Sequence, residues 1–510
     1  MDGEAGARGR AALSRYLEQA RAKRGQADYA IPLREPGVDV EATDAQQQLW
    51  LHSELASGSP IYNEPVTIHF HGELNVAAFE RAFNEILRRH EACRTGFRWS
   101  EEKLVQCVAP ELSTSLPVTD LRPLPENRRE ARALQLATED ARLPFDLSCP
   151  PLIRARLVRL AESEHRLFLT LHHIIFDGYS LSQILLPELH ASYAAFSTGI
   201  EPNLPALRAQ YSDYALWRKR SLAGSAIEPD LHYWETQLSG QLPVLNLPLD
   251  RPRPVNRTFK GAMEIFSIPL NVLARLKEIG AARGATLYMT ALAAFNVLLY
   301  SMTGQCDIVV GSVNSSRKHP ETEKILGYFL NNIVLRTQLS PEERFSELIS
   351  RVREIVIGAL SHDEVPFALL VSRFEKQRQP GLHPLFQVMF SLQPPLRAFP
   401  PEWRFTHMDV ETGVTKMDLY LELDERESDL LGRFIYSLEI FDPLTISRLA
   451  KNWTVLLSTI SENPNETIAY LVRGMRENSF GSSEVGQRSS WRSMWFSPRW
   501  ARQLWHEFRG

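Results

Sequence analysis

The chain has 510 residues, 44% of them apolar and 23% charged, with a formal net charge of -4. That length accommodates two or more compact units, and the balance is that of a globular chain with a substantial core. The mild acidity argues against a general nucleic-acid or membrane-surface binder.

The four cysteines, Cys93, Cys107, Cys149 and Cys306, make no CxxC pair. A disulfide framework or zinc knuckle is therefore disfavoured, and a reducing compartment fits. The N terminus carries no apolar run of signal-peptide length, so the expected location is cytoplasmic.

In chain order, residues 10–24 read as a short helix with Leu13, Tyr16, Leu17 and Ala20 on one side. A polar linker follows to about residue 40. Val66–Phe70 reads as a strand. Asn75 then caps a helix whose apolar positions are Val76, Phe79, Phe83, Ile86, Leu87 and His90. HRLFLTLHH, 165–173, alternates as a strand does. Ser180 and Gln183 have capping-box spacing, which predicts a helix directly after the next loop. The Pro-rich LPVLNLPLDRPRPV, 242–255, reads as the crossing between two halves. Beyond it, TLYMTALAAFNVLLYSM (286–302) reads as a buried helix, too short and too polar at Thr290 and Asn296 for a membrane span, with Gly304 to end it. A strand at 307–311, a helix at 343–360 and strands at 386–392, 417–423 and 433–440 follow. The tail from 475 is rich in Ser, Arg and Trp without a helical stripe. It reads as a poorly ordered extension, with a docking segment as the sharper alternative.

The chemistry concentrates in LHHIIFDGYS, 171–180. On a strand, adjacent side chains point to opposite faces, so His172 and His173 cannot share one metal ion unless the strand breaks. No third ligand stands at familiar spacing, and no metal site is expected. The plainest reading is a pair of satisfied core histidines. The chemical reading puts one imidazole, with an unperturbed pKa near ~6.5, at a strand end facing a cleft as a proton acceptor. Asp177 either orients that imidazole or holds the loop by pairing with an arginine. Gly178 permits close approach and offers an N–H to a developing oxyanion.

The loop resembles the HHxxxDG signature of nonribosomal peptide synthetase condensation domains, in the chloramphenicol acetyltransferase-like superfamily. Other stretches are similar to that family's motifs in its order: TDAQQQLWL (43–51), RRHEACRTGF (88–97), YSDYALW (211–217), LGYFLNNIVLR (326–336), SHDEVPFALLV (361–371) and GLHPLFQVMFSLQ (381–393). They span about 40–474. IYNE (61–64) and NLPLDRPRP (246–254) look closest to condensation domains of hybrid polyketide–peptide systems.

The resemblance implies an α/β (α+β) fold: two chloramphenicol acetyltransferase-like subdomains in a V-shaped pseudodimer, with the active loop at their junction. The implied division is 1–39 for an N-terminal helix and linker, 40–245 and 246–474 for the two halves, and 475–510 for the tail. The implied reaction joins a carrier-bound acyl or peptidyl thioester to a carrier-bound aminoacyl group as an amide. Both substrates would arrive on phosphopantetheine arms of partner carrier proteins, and no cofactor would be bound. By resemblance His173, Asp177 and Gly178 belong to the catalytic loop. His173 would be the catalytic imidazole, and Asp177 mainly architectural in a salt bridge with Arg317. His172 would pack structurally, Arg94 brace the core, and Asn331 lie on a segment returning across the cleft.

Phe176, Cys93 and Asn332 depart from the family's usual residues without removing a catalytic atom. No Gly-rich phosphate loop and no pantetheine-attachment motif is recognised. The expectation is therefore of carriers met in trans, or of a fragment of a longer assembly line. Ester formation, acyl-CoA-dependent transfer and noncatalytic carrier docking are the competing readings.

Overall fold

The computed structural model describes residues 30–480 apart from 36, 223–226, 375–380, 394–402, 407–409 and 427. The expected helix at 10–24 and the tail beyond 480 lie outside the described residues.

The first stretch contains β1 (Val40–Glu41), α1 (Asp44–Leu55), β2 (Asn63–His71), α2 (Val76–Arg89), β3 (Thr95–Ser100), β4 (Lys103–Val108), β5 (Val118–Asp120), α3 (Glu126–Arg142), β6 (Ile153–Ala161) and β7 (Glu164–His172). Three helices follow: α4 (Leu186–Ser197), α5 (Tyr211–Ser221) and α6 (Glu228–Gln237). After the crossing come β8 (Gly261–Pro269), α7 (Leu270–Ala281), α8 (Leu287–Thr303), β9 (Asp307–Ser315), β10 (Leu330–Gln338), α9 (Phe345–Ser361) and α10 (Phe367–Phe374). The remainder is β11 (Val388–Gln393), β12 (Trp403–Thr406), β13 (Leu419–Glu425), β14 (Asp429–Ser437), α11 (Pro443–Glu462) and α12 (Ile468–Phe480).

Two mixed sheets dominate. One has the order β12-β2-β7-β6-β5 and the other β10-β9-β11-β13-β14-β8; a third, small sheet is β1-β4-β3. In the second sheet β11 runs parallel to both β9 and β13.

Local signals account for the element boundaries. Asn75 accepts the Ala78 N–H at 3.1 Å and opens α2, which buries Phe79, Phe83, Ile86 and Leu87. Thr286 caps α8, and Gly304 closes it in the left-handed conformation at φ 69°. Every residue of α8 from Met289 to Leu299 is buried, so its all-round apolarity is that of a core helix.

The strand expected at 165–173 is β7, with a difference. Its alternation does not separate core from solvent, because Leu167, Leu169 and Leu171 enter one hydrophobic core while Phe168 enters another with Ala133, Leu136, Ala137 and Ala141 of α3. Helices cover both faces, so the strand is buried throughout.

The chain crosses between its two large sheets more than once. β12 pairs antiparallel with β2, setting Trp403 opposite Phe70. Trp403 is buried and stacks on Phe79 with ring centroids 5.8 Å apart. Ile325, Leu326, Tyr328 and Phe329 likewise pack into the core built on β2 and β7. No helix among the described residues is long and apolar enough to cross a membrane. Trp403→Ala is expected to cost about 3–5 kcal/mol of stability, read as a lowered midpoint in urea unfolding.

Candidate active site

β7 ends where His173 leaves the ladder. Its N–H still donates to the Tyr62 carbonyl at 2.9 Å, but the residue already belongs to a one-turn 3₁₀ helix, His173–Ile175. That break separates the two imidazoles. His172 stays buried on the strand, accepts the Ile174 N–H at 3.3 Å on Nδ1, and meets Tyr62 and Phe145 edge to face. Burial is the main cause that pushes its pKa down to about 3, with lesser contributions from His173, Lys416 and Arg154. His172 is therefore neutral.

His173 is half-buried and lines a cavity of about 780 Å³. Its Nδ1 lies 2.8 Å from the Phe176 carbonyl oxygen. A carbonyl only accepts, so Nδ1 carries the proton, and in the neutral ring Nε2 keeps its lone pair. Phe176 stacks on the ring at 5.1 Å, and Tyr328 meets it edge-on at 5.3 Å. The orienting group is thus a backbone carbonyl. Of the two roles open to Asp177, the structure shows the ion pair and not the contact with the imidazole.

Asp177 is fully buried. Its Oδ1 accepts from the Ser180 N–H at 2.7 Å and from Arg317 Nη2 at 3.0 Å, while Oδ2 accepts from the Phe329 N–H at 3.2 Å. Arg317 also donates to the carbonyls of Thr322 and Ile325 and to Ser180 Oγ, and it lies 3.8 Å over the Phe329 ring. The charge pair is therefore hydrogen-bonded on nearly every side, which is what makes its burial tolerable. It ties the loop to the segment between β9 and β10. Asp177 also corrects the capping expectation: its carboxylate, and not the Ser180 hydroxyl, caps the helical run that starts at Gly178. Ser180 Oγ instead donates to the Gly327 carbonyl at 2.8 Å. Residues Ser180–Leu185 then wind as a π-helix into α4.

Gly178 is exposed to the cavity at the start of that run, where backbone N–H groups favour developing negative charge. Gly327 permits a close approach nearby, since a Cβ there would fall 1.8 Å from Tyr211 Cδ2. Tyr211 in turn donates to the Tyr328 carbonyl, which joins the YSDYALW and LGYFLNN stretches.

The other expected residues lie away from the cavity. Arg94 donates to the Ala109 carbonyl and stands 3.8 Å from Glu91, bracing the turn before β3. Asn331 donates to the Asp363 and Val365 carbonyls at 2.9 and 2.7 Å and accepts from the Phe367 N–H. It holds the HDEVPF segment in place.

The opposite cavity wall comes from the second sheet: Ser312 and Asn314 of β9, Ser391 and Gln393 of β11, Tyr420 and Glu422 of β13, and Arg433 of β14. Glu64 and Lys416 line it too. The sequence reading missed this polar wall. One signal was present: Glu422 and Arg433 are charges inside otherwise apolar strands and are register partners.

The condensation-domain family model matches residues 38–473. The chain belongs to that family. It is 42% identical over 437 residues to a linear gramicidin synthase of Brevibacillus parabrevis, covering 84% of this chain and 6% of that protein. It is 36% identical over 452 residues to phosphinothricin tripeptide synthetase PhsC of Streptomyces viridochromogenes, covering 87% of this chain and 41% of that one. The X-domain from teicoplanin biosynthesis superposes with a TM-score of 0.75 at 27% identity, covering 86% and 99% of the two chains. The first condensation domain of the calcium-dependent antibiotic synthetase, in complex with a substrate analogue, gives 0.74 at 20%, covering 85% and 99%. The two-lobed α/β pseudodimer expected from the resemblance is the fold shared with these structures.

Arg317→Ala would leave the Asp177 carboxylate buried without its counter-charge. A loss of about 3–5 kcal/mol is expected in urea unfolding, with partial recovery in an Asp177→Asn/Arg317→Met double variant. Three buried imidazoles make a second test. His52, His172 and His383 are pushed down to about 3, 3 and 4, chiefly by burial. The unfolded chain protonates them below pH ~6.5 and the folded chain does not, so stability is intact above that pH and falls as pH drops towards 4. Unfolding at pH 5 should take up about three protons from these groups, measurable as the slope of unfolding free energy against pH.

Proposed function

We propose that this chain forms an amide bond between a carrier-bound acyl or peptidyl thioester and a carrier-bound aminoacyl group. The single observation that supports it most is the hydrogen bond from His173 Nδ1–H to the Phe176 carbonyl, at 2.8 Å. It presents a basic Nε2 at a cavity lined by both sheets.

Both substrates are tethered by phosphopantetheine arms of partner carrier proteins. The amine lone pair attacks the thioester carbonyl carbon, and the Gly178 end of the helical run faces the oxyanion that develops. His173 Nε2 takes one proton from the attacking nitrogen. As the C–S bond breaks, the sulfur leaves and receives that proton, giving amide and thiol. A free α-amine has a pKa of about 7.7–8.0, so much of the demand is alignment of an already basic nitrogen. The thioester supplies the driving force, and neither nucleotide nor metal is needed.

The chain spans 6% of the gramicidin synthase and 41% of PhsC. The complete protein therefore works with carriers supplied by neighbouring modules or by separate chains in trans, in the cytoplasm. The hybrid polyketide–peptide subtype rests on IYNE and NLPLDRPRP alone. A docking role is the second reading. It is favoured by the 27% identity to the X-domain, a neighbour of which is described in complex with OxyB.

With donor- and acceptor-loaded carriers, mass spectrometry of the tethered product should show amide. His173→Ala should reduce its formation by about 10²–10⁴-fold while leaving the urea midpoint near wild type. Carrier binding with no turnover by the wild-type chain would replace this reading with the docking one.

A further inference from the structure

We propose that Gln393 belongs to the reaction centre, its side-chain carbonyl accepting an N–H of the attacking amine; this rests on the amide-forming reading above. Gln393 ends β11 and lines the same cavity as His173. A methyl group built on Gly178 would stand 3.6 Å from Gln393 Oε1, so that oxygen faces the catalytic loop from the opposite sheet.

The orientation of the amide follows from its other neighbour. Gln393 Nε2 donates to Glu422 Oε1 at 2.7 Å. Glu422 Oε2 accepts from Arg433 Nε at 2.7 Å, and Arg433 Nη2 lies 2.6 Å from the same oxygen. A carboxylate held ionised by a guanidinium has no proton to donate. The amide must therefore turn its NH₂ to Glu422, which leaves Oε1 directed at Gly178. Glu422 and Arg433 are both buried, and a buried pair is a poor source of stability by itself. Fixing an acceptor at the cavity wall gives it a purpose there.

The reaction needs such an acceptor. A primary amine brings two N–H groups to the thioester. One proton passes to His173 Nε2 and on to the leaving sulfur. The other stays on nitrogen through the reaction and survives in the product amide. In a desolvated site that N–H requires a partner, and Gln393 Oε1 supplies it while His173 engages the first. Two acceptors on one nitrogen fix the direction of its lone pair. Gln393 thus touches substrate, whereas Glu422 and Arg433 act through it as positioning residues.

The test compares two carrier-bound acceptors, a primary aminoacyl group and its N-methyl counterpart, with one carrier-bound donor. The N-methyl nitrogen has no second N–H. Gln393→Leu should lower kcat/KM about ten-fold for the primary amine, as for loss of one neutral hydrogen bond, and change the N-methyl acceptor by less than about two-fold. Glu422→Gln keeps Gln393 in place but lets its amide flip, and should narrow the same preference by a smaller factor. Equal losses for both acceptors, or no loss for either, would overturn the assignment of Gln393 and leave amide formation standing. Failure of the wild-type chain to make amide from either acceptor would overturn both.

Discussion

The ion pair between Asp177 and Arg317 governs the geometry of this site. It joins the loop after β7 to the segment between β9 and β10, and it does so inside the protein. Each charge is satisfied by further hydrogen bonds, from Ser180 and Phe329 on one side and to Thr322 and Ile325 on the other. Satisfied in this way, the pair fixes the start of the helical run at Gly178. The carboxylate that could have oriented the imidazole is fully occupied in holding the loop. Orientation of His173 falls instead to the Phe176 carbonyl, a group of the same short turn.

That division of labour gives the two histidines opposite fates within one step of chain. His172 keeps the strand's geometry and is sealed between Tyr62 and Phe145. His173 steps off the ladder into the 3₁₀ turn and reaches the cavity. The distinction is one of backbone conformation, since the residues are chemically identical. Phe176 departs from the small residue usual in the family at that position. Here it stacks on the catalytic ring and narrows the freedom of the imidazole.

The cavity has two unlike walls. The loop side offers an imidazole, a glycine and aromatic rings; the opposite side carries the Gln393–Glu422–Arg433 chain with Ser391 bonded to Tyr420 at 2.7 Å. Polar groups inside sheets are costly unless paired, and in β11, β13 and β14 they are paired with one another across neighbouring strands. The sheet thereby stays intact while presenting oriented dipoles to the space where the two substrates would meet. Asn331 and Arg94 serve the same architecture from further away by anchoring the HDEVPF segment and the turn before β3.

Elements with local patterns were legible in the amino acids themselves. Asn75 and Thr286 as caps, Gly304 as a stop, and the stripe of α2 are set by neighbours within a few residues. The HHxxxDG loop and the six motifs in order were equally readable, because side-chain identity and spacing are properties of the chain before it folds. Other features arose only on folding: which histidine faces the cavity, that Asp177 rather than Ser180 caps the next helix, and that β7 is covered on both faces. So did the return of β12 to pair with β2, and the place of Gln393 opposite Gly178. Contacts between residues more than 100 positions apart, such as Asp177 with Arg317, leave no periodicity to read. They exist only once two sheets have packed and closed a space between them.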